Sequence, residues 1–314
     1  MLVYVAGRMA GAALTLLCVS ALAFFATALA PGNPAAVLLG TMATPERVEA
    51  VTRQLGLDRP LPTRFVIWLG ETVQGNLGVS NLSHKPVTGL LMDALPVTLE
   101  LAGLSLLLAV LVAVPTGLIL AQKRDRWWSK PAMAVITLGI SVPGFWVGLM
   151  LIVLFAVTWR ILPSGGYVPV SRGLGLNLRS MILPTLSLAI YLAPALIRFV
   201  RVTAQSVLKE PFVDTARAKG LGNFRILFRH VAPNTWINTM TFVGLQLGVL
   251  ISGAIVIEVI FSLPGIGRLG LNAVLNRDYP VVQGVVLVAA VGYVFVNLAI
   301  DLAYGLVDPR VRTR

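Results

Sequence analysis

Six stretches of this chain are apolar over about the 20 residues that a helix needs to cross a hydrocarbon core. They run from about Met9 to Ala30, Pro96 to Gln122, Pro131 to Trp159, Met181 to Thr203, Trp236 to Ser262 and Val281 to Val307. Only 12% of the 314 residues are charged and 57% are hydrophobic, against about a quarter charged in soluble domains. A water-soluble surface cannot be built from that, so the expected fold is an all-α integral membrane protein with about six transmembrane helices.

The formal charge of +12 raises nucleic acid as a partner, but in a membrane protein the first question is where basic residues lie relative to the spans. With the N-terminus inside, the inner segments hold Arg8; Lys123, Arg124, Arg126 and Lys130; Arg198, Arg201, Lys209, Arg217, Lys219, Arg225 and Arg229; and Arg310, Arg312 and Arg314. Those are 15 of the 25 Lys and Arg. The longer outer segments hold the rest, partly offset by Glu46, Glu49, Asp58, Glu71, Asp93 and Asp278. Both termini are therefore expected in the cytoplasm of a multi-pass cytoplasmic (inner) membrane protein. Arg8 before an apolar stretch ending Ala28-Leu29-Ala30 imitates a cleavable secretory signal. Signal cores run to about 7–15 residues and this run to about 22, so a retained first span is expected. Cys18 is the only cysteine, which excludes an intrachain disulfide and leaves no thiol metal site.

The expected organisation is a first span in 1–30, an external segment in 31–95, a transmembrane core in 96–307 that includes a cytoplasmic loop at 204–234, and a tail in 308–314. The external segment carries amphipathic helices. Thr44 can cap, Pro45 suits a first helical position, and Val48, Val51 and Leu55 form a stripe ending at Gly56. Phe65, Trp68, Leu69, Thr72 and Val73 then share a face closed by Gly75. Within the third run, Ser141-Val142-Pro143-Gly144-Phe145-Trp146 predicts a bend, because proline removes a backbone donor. Gly144 with Gly148, and Gly244 with Gly248, have the spacing that lets helices approach closely.

The loop from Ala204 to Asn234 is the most informative stretch, since a simple helix connection needs only about 2–8 residues. Pro211 breaks the chain, and Phe212 to Lys219 reads as a short helix with Phe212, Val213 and Ala216 on one face. Gly220 is placed for a left-handed cap and Leu221 to pack back on the last turn. Asn223 is expected to cap a second helix, with Phe224, Leu227, Phe228 and Val231 at i, i+3, i+4 and i+7 and with Arg225 and Arg229 on another face, ended by Pro233. A DNA-binding helix-turn-helix needs a soluble supporting domain, whereas each end of this loop is fastened to a span, so no nucleic acid is expected. Two readings stand: an interfacial helix held on membrane lipid by its arginines, or a rigid knob gripped by a cytosolic partner.

Asp214-Thr215-Ala216-Arg217-Ala218-Lys219-Gly220, followed by Ala232-Pro233, resembles the EAA loop of permeases in binding-protein-dependent ABC importers, in particular the dipeptide and oligopeptide branch. Blocks similar to that branch continue in its order: Pro31-Gly32-Asn33-Pro34-Ala35, Leu55-Gly56-Leu57-Asp58, Gly75-Asn76-Leu77-Gly78, Leu95-Pro96-Val97-Thr98-Leu99-Glu100, Leu162-Pro163-Ser164-Gly165-Gly166, Glu258-Val259-Ile260-Phe261-Ser262, Arg277-Asp278-Tyr279-Pro280 and Asp308-Pro309-Arg310-Val311-Arg312. Asp214 and Thr215 depart from the literal Glu-Ala of the motif.

The resemblance implies a type I ABC importer permease fold, the first of two permeases. It further implies a second homologous permease, two cytosolic ATPase subunits and an external solute-binding protein as partners. Phe212, Asp214, Ala216, Arg217, Lys219 and Gly220 would then form the ATPase-docking coupling helix. The implied cargo is dipeptides or oligopeptides, with nickel chelates, glutathione or haem as alternatives.

Other sites carry less. Gly265-Ile266-Gly267-Arg268-Leu269-Gly270 matches the dinucleotide fingerprint literally but follows a membrane span rather than a strand. No phosphate loop of the form GxxxxGK[ST] exists in the chain, so ATP is expected on partner subunits and no cofactor, metal or catalytic residue is expected here. His84 and His230 are the only histidines and fall on opposite predicted sides. Glu100, Glu258 and Asp301 lie in or near spans, where ionisable groups are expensive. Pairing within the bundle is the expectation; ion coupling in a secondary transporter is the rival, distinguished by transport that persists without ATP and collapses with the ion gradient.

Overall fold

The computed structural model of the chain describes residues 2–29, 36, 39, 43–54 and 56–307. The block at 31–35, Leu55 and the tail at 308–314 lie outside the described residues. Each apolar run is helical, because a backbone in hydrocarbon must pair its N–H and C=O groups internally. The long helices are α1 (Leu2–Ala28), α4 (Val87–Gln122), α7 (Leu174–Val207), α9 (Ala232–Ile260) and α11 (Tyr279–Val307). Shorter ones are α2 (Pro45–Gln54), α3 (Leu61–Val73), α5 (Ser129–Ser141), α6 (Gly144–Leu151), α8 (Pro211–Ala218) and α10 (Ile266–Leu275). Four helices among the described residues are long and apolar enough to cross a membrane, and up to six spans result if each of two bent pairs counts as one. The chain is an all-α multi-spanning membrane protein; the β structure among the described residues is one isolated bridge, Val79 to Pro86.

The expected bend in the third run is present. α5 and α6, the latter continued by a π-helical stretch Ile152–Thr158, meet at 98°. Val142 is extended, at φ −82° and ψ 122°, as the ring of a following proline demands. α4 starts at Val87, ahead of the expected Pro96. Its first turns bury Val87, Leu91 and Ala94 against Ile266, Ala273 and Val281, and that packing overrides the helix-breaking tendency of Pro96.

The described residues form two compact units. The first comprises residues 1–97 and 264–295. There, α3 is pinned to α1 by an aromatic cluster in which Phe24 lies 5.5 Å from Phe65 and 5.4 Å from Trp68 between ring centroids. Thr44 caps α2 as read, accepting from the Arg47 N–H at 3.4 Å. Val73 departs from the expected face; as the final residue of α3 it is 80% exposed. The buried Asp278 carboxylate accepts from the Ser80 hydroxyl at 2.5 Å and the Asn81 N–H at 3.0 Å, fixing the 79–86 loop to the start of α11.

The second unit comprises residues 98–263 and 296–314. Its centre is α7, which buries fifteen residues and stays one helix through Pro184 and Pro194. The Gly144 and Gly148 pair does mark close packing: a Cβ on the first would meet Tyr191 at 3.3 Å and on the second Phe261 at 3.2 Å.

Candidate functional site

The loop between α7 and α9 is held from beneath by its own apolar core. Val213 and Ala216 of α8 are buried with Leu118 and Ala121 of α4, Val200 and Ala204 of α7, and Ile226, Leu227 and Val231 of the segment that follows. Two apolar positions three residues apart leave the rest of an eight-residue helix facing out. Phe212, Asp214, Thr215, Arg217 and Lys219 are exposed, and Arg217 pairs with Asp214 at 3.1 Å.

The helix ends as the sequence predicted. Gly220 is left-handed at φ 76°, its N–H donates to the Arg217 carbonyl at 2.9 Å, and the Leu221 N–H donates to the Ala216 carbonyl at 3.2 Å. That pair of bonds is a Schellman cap, and Leu221 packs on the core beneath it. Of the six residues expected to form the docking element, five are exposed and Ala216 is not. Its small side chain lets α8 approach its own chain closely.

The second half of the loop differs from expectation. Asn223 does not cap: Gly222 occupies the cap position without a side-chain bond, and the Asn223 carbonyl accepts from the Gln122 side chain at 2.9 Å. Nor does Pro233 end the segment. The turn Asn223–Arg225 runs through a π-helical stretch, Ile226–Val231, into α9, so that Pro233 sits inside a continuous helical segment. The wider π turn also re-sorts the expected apolar face. Leu227 and Val231 are buried with Ile226, while Phe224 is 75% exposed and pairs its ring with Phe228 at 4.6 Å. This outward aromatic pair, beside exposed Arg225 and Arg229, was not foreseen as a surface feature. His230 contributes through its backbone, its carbonyl accepting from Asn234 at 2.7 Å.

Two of the three ionisable groups in or near spans have partners. Glu258 is fully buried and accepts from the Thr98 hydroxyl at 2.6 Å; Glu100 accepts from the Tyr167 hydroxyl at 2.8 Å. The side chain of Asp301 lies outside those described. Gly265 to Gly270 follows α9, not a strand, and opens α10. Among the described residues no group of three or more His, Cys, Asp or Glu is placed to hold a metal ion.

Tyr167 lies in the connection between α6 and α7, where burial, with the Glu100 hydrogen bond and charge, pushes it up from 10.0 to about 12. Because the folded value is raised, its stabilising contribution is complete below about pH 10 and is lost as pH rises through about 12. An ultraviolet phenolate titration should show one of the six tyrosines ionising last, and Tyr167→Phe should remove that step. A late step that survives in the variant would assign it to another tyrosine.

The chain is thus a multi-spanning helical protein with a capped, core-supported loop between two of its long helices. The model of the binding-protein-dependent transport system inner membrane component family matches residues 113–313, and the model of its N-terminal region matches residues 1–102. A putative peptide transport system permease protein of Brucella abortus is 39% identical over 97% of both chains. A probable peptide ABC transporter permease protein of Sinorhizobium fredii and a glutathione transport system permease protein of Escherichia coli are each 36% identical over 99% of both chains. The fold resembles a chain of the inward-facing MetNI methionine ABC transporter, with a TM-score of 0.59 at 17% identity, covering 70% of this chain and 96% of that one. The protein therefore belongs to the family of inner membrane components of binding-protein-dependent transport systems.

Proposed function

We propose that this chain is a permease subunit of an ATP-driven importer for peptide-like solutes, with α8 as the element that docks on a cytosolic ATPase. The observation that carries the docking role is the construction of α8. A short helix with its apolar side buried in its own chain, a rigid cap, and Phe212, Asp214, Arg217 and Lys219 turned outward is built to be gripped without deforming. Movement of the ATPases around ATP would then bias a two-state membrane element through rigid contacts.

A second permease, two ATPases and an external solute-binding protein complete the proposed assembly, in line with family membership. Di- or oligopeptide cargo is supported by the names of two relatives, and a third relative's name makes glutathione the nearest alternative. Nickel chelates and haem are further alternatives.

The test is to tag the chain, solubilise its native membrane in mild detergent and identify what co-purifies, alongside Asp214→Lys. An ATPase pair and a second permease should accompany the wild type and be depleted at least fivefold from the variant. A wild type that purifies alone yet transports in response to an ion gradient would remove the docking role and favour the secondary transporter.

A further inference from the structure

A cavity of about 640 Å³ lies within the first unit, between α1, α3, the 79–86 loop and the start of α11. This is within the range of small-molecule sites, and the charge bias of the loops places it on the outer side. One face of α3 forms a wall, with Arg64, Ile67, Trp68 and Glu71 all on the lining. They recur at i, i+3, i+4 and i+7, the spacing of one helix face, so the wall reads cation, aliphatic, aromatic, anion along its length. Arg59 adds a second cation, while Asn81 and Gln283 offer amides on other walls.

The charges are not consumed by one another. Arg64 and Glu71 are two turns apart, beyond the reach of an i,i+4 pair. Among the described residues the side chains of Arg59, Arg64 and Glu71 make no ion pair or hydrogen bond. Their surroundings are held in shape: the aromatic cluster pins α3 to α1, the Gln283 amide donates to Thr27 at 2.6 Å, and Asp278 anchors the loop.

We propose that this cavity is a binding site for a zwitterionic peptide of about three residues, its carboxylate on Arg64 and Arg59, its ammonium on Glu71 and its middle against Ile67 and Trp68. Seven residues of helix rise about 10.5 Å, and three extended residues span about 10 Å. Opposite charges at the two ends of an apolar wall select a ligand carrying both charges at that separation, and reject one that lacks either. The choice of a peptide rests on the reading of the protein as a peptide permease, but the charge rule does not.

The test uses the full chain in lipid nanodiscs with three probes: tri-alanine, its N-acetyl derivative and its C-terminal amide, with binding read by calorimetry. Wild type should bind tri-alanine at least tenfold more tightly than either blocked form. Glu71→Gln should abolish discrimination against the N-acetyl peptide alone, and Arg64→Gln against the amide alone. Equal affinity of wild type for all three probes, or no binding at millimolar peptide, overturns the proposal, and that outcome does not depend on any variant folding. Co-purification with ATPases is indifferent to this cavity, so a complex that forms while the cavity stays silent sinks this inference and spares the wider one.

Discussion

Gly165→Ala should lower the thermal midpoint of the purified protein by about 5 °C or more, followed by intrinsic fluorescence of its six tryptophans. A Cβ at this position would lie 2.6 Å from the Phe261 carbonyl oxygen and 3.0 Å from its carbon. Both are backbone atoms, so no rotamer change relieves the clash. The neighbouring Gly166 N–H donates to the same carbonyl at 2.8 Å, and Phe261 itself is fully buried, so the connection and the end of α9 would have to separate. Overpacking of this kind costs about 1–3 kcal/mol, which for a chain of this size corresponds to several degrees. Gly175→Ala is the control, since a Cβ there meets nothing within 4 Å and its helical position gains from alanine. If both variants melt with the wild type, the close approach at Phe261 is not a fixed feature of the fold.

Gly220→Val should reduce ATP-driven uptake at least tenfold in cells, with the chain still present in the membrane at wild-type level. The φ of 76° at this position is disallowed to a β-branched residue. Relaxing it withdraws the donors that cap α8 at Ala216 and Arg217. The core under α8 is made by other residues, so the expected defect is in the pose of the proposed docking face and not in insertion or folding. Gly220→Asn separates the two causes, because asparagine tolerates the left-handed region. It should retain most of the uptake. Equal loss in the valine and asparagine variants would mean that something other than backbone conformation matters at Gly220, and no loss in either would detach α8 from the transport cycle.

What the sequence made legible was local or periodic. Gly220 with Leu221, Val142 before Pro143, and the apolar runs each state their conformation within a few residues, because sterics and helix periodicity act at that range. The second half of the loop was misread for a physical reason: Phe224, Leu227, Phe228 and Val231 keep one face only at 3.6 residues per turn, and the π-helical stretch Ile226–Val231 turns more slowly. Ala216 shows another limit. A short amphipathic helix announces an apolar face, but not whether that face meets its own chain or a partner's. Asp278 and Ser80, 198 residues apart, carry no mutual signal in one sequence, and the same holds for Glu258 with Thr98.

The unbroken passage from the loop into α9 sets how a force on α8 is spent. Val213 and Ala216 are seated among residues of α4, α7 and the π-helical stretch, so packing ties α8 to these elements across the turns at 208–210 and 219–222 that flank it. If a partner docks there as proposed, a pull on α8 is shared among the packed ends of α4, α7 and the segment leading into α9. Under the proposed docking role the loop would act as a lever arm rather than a tether.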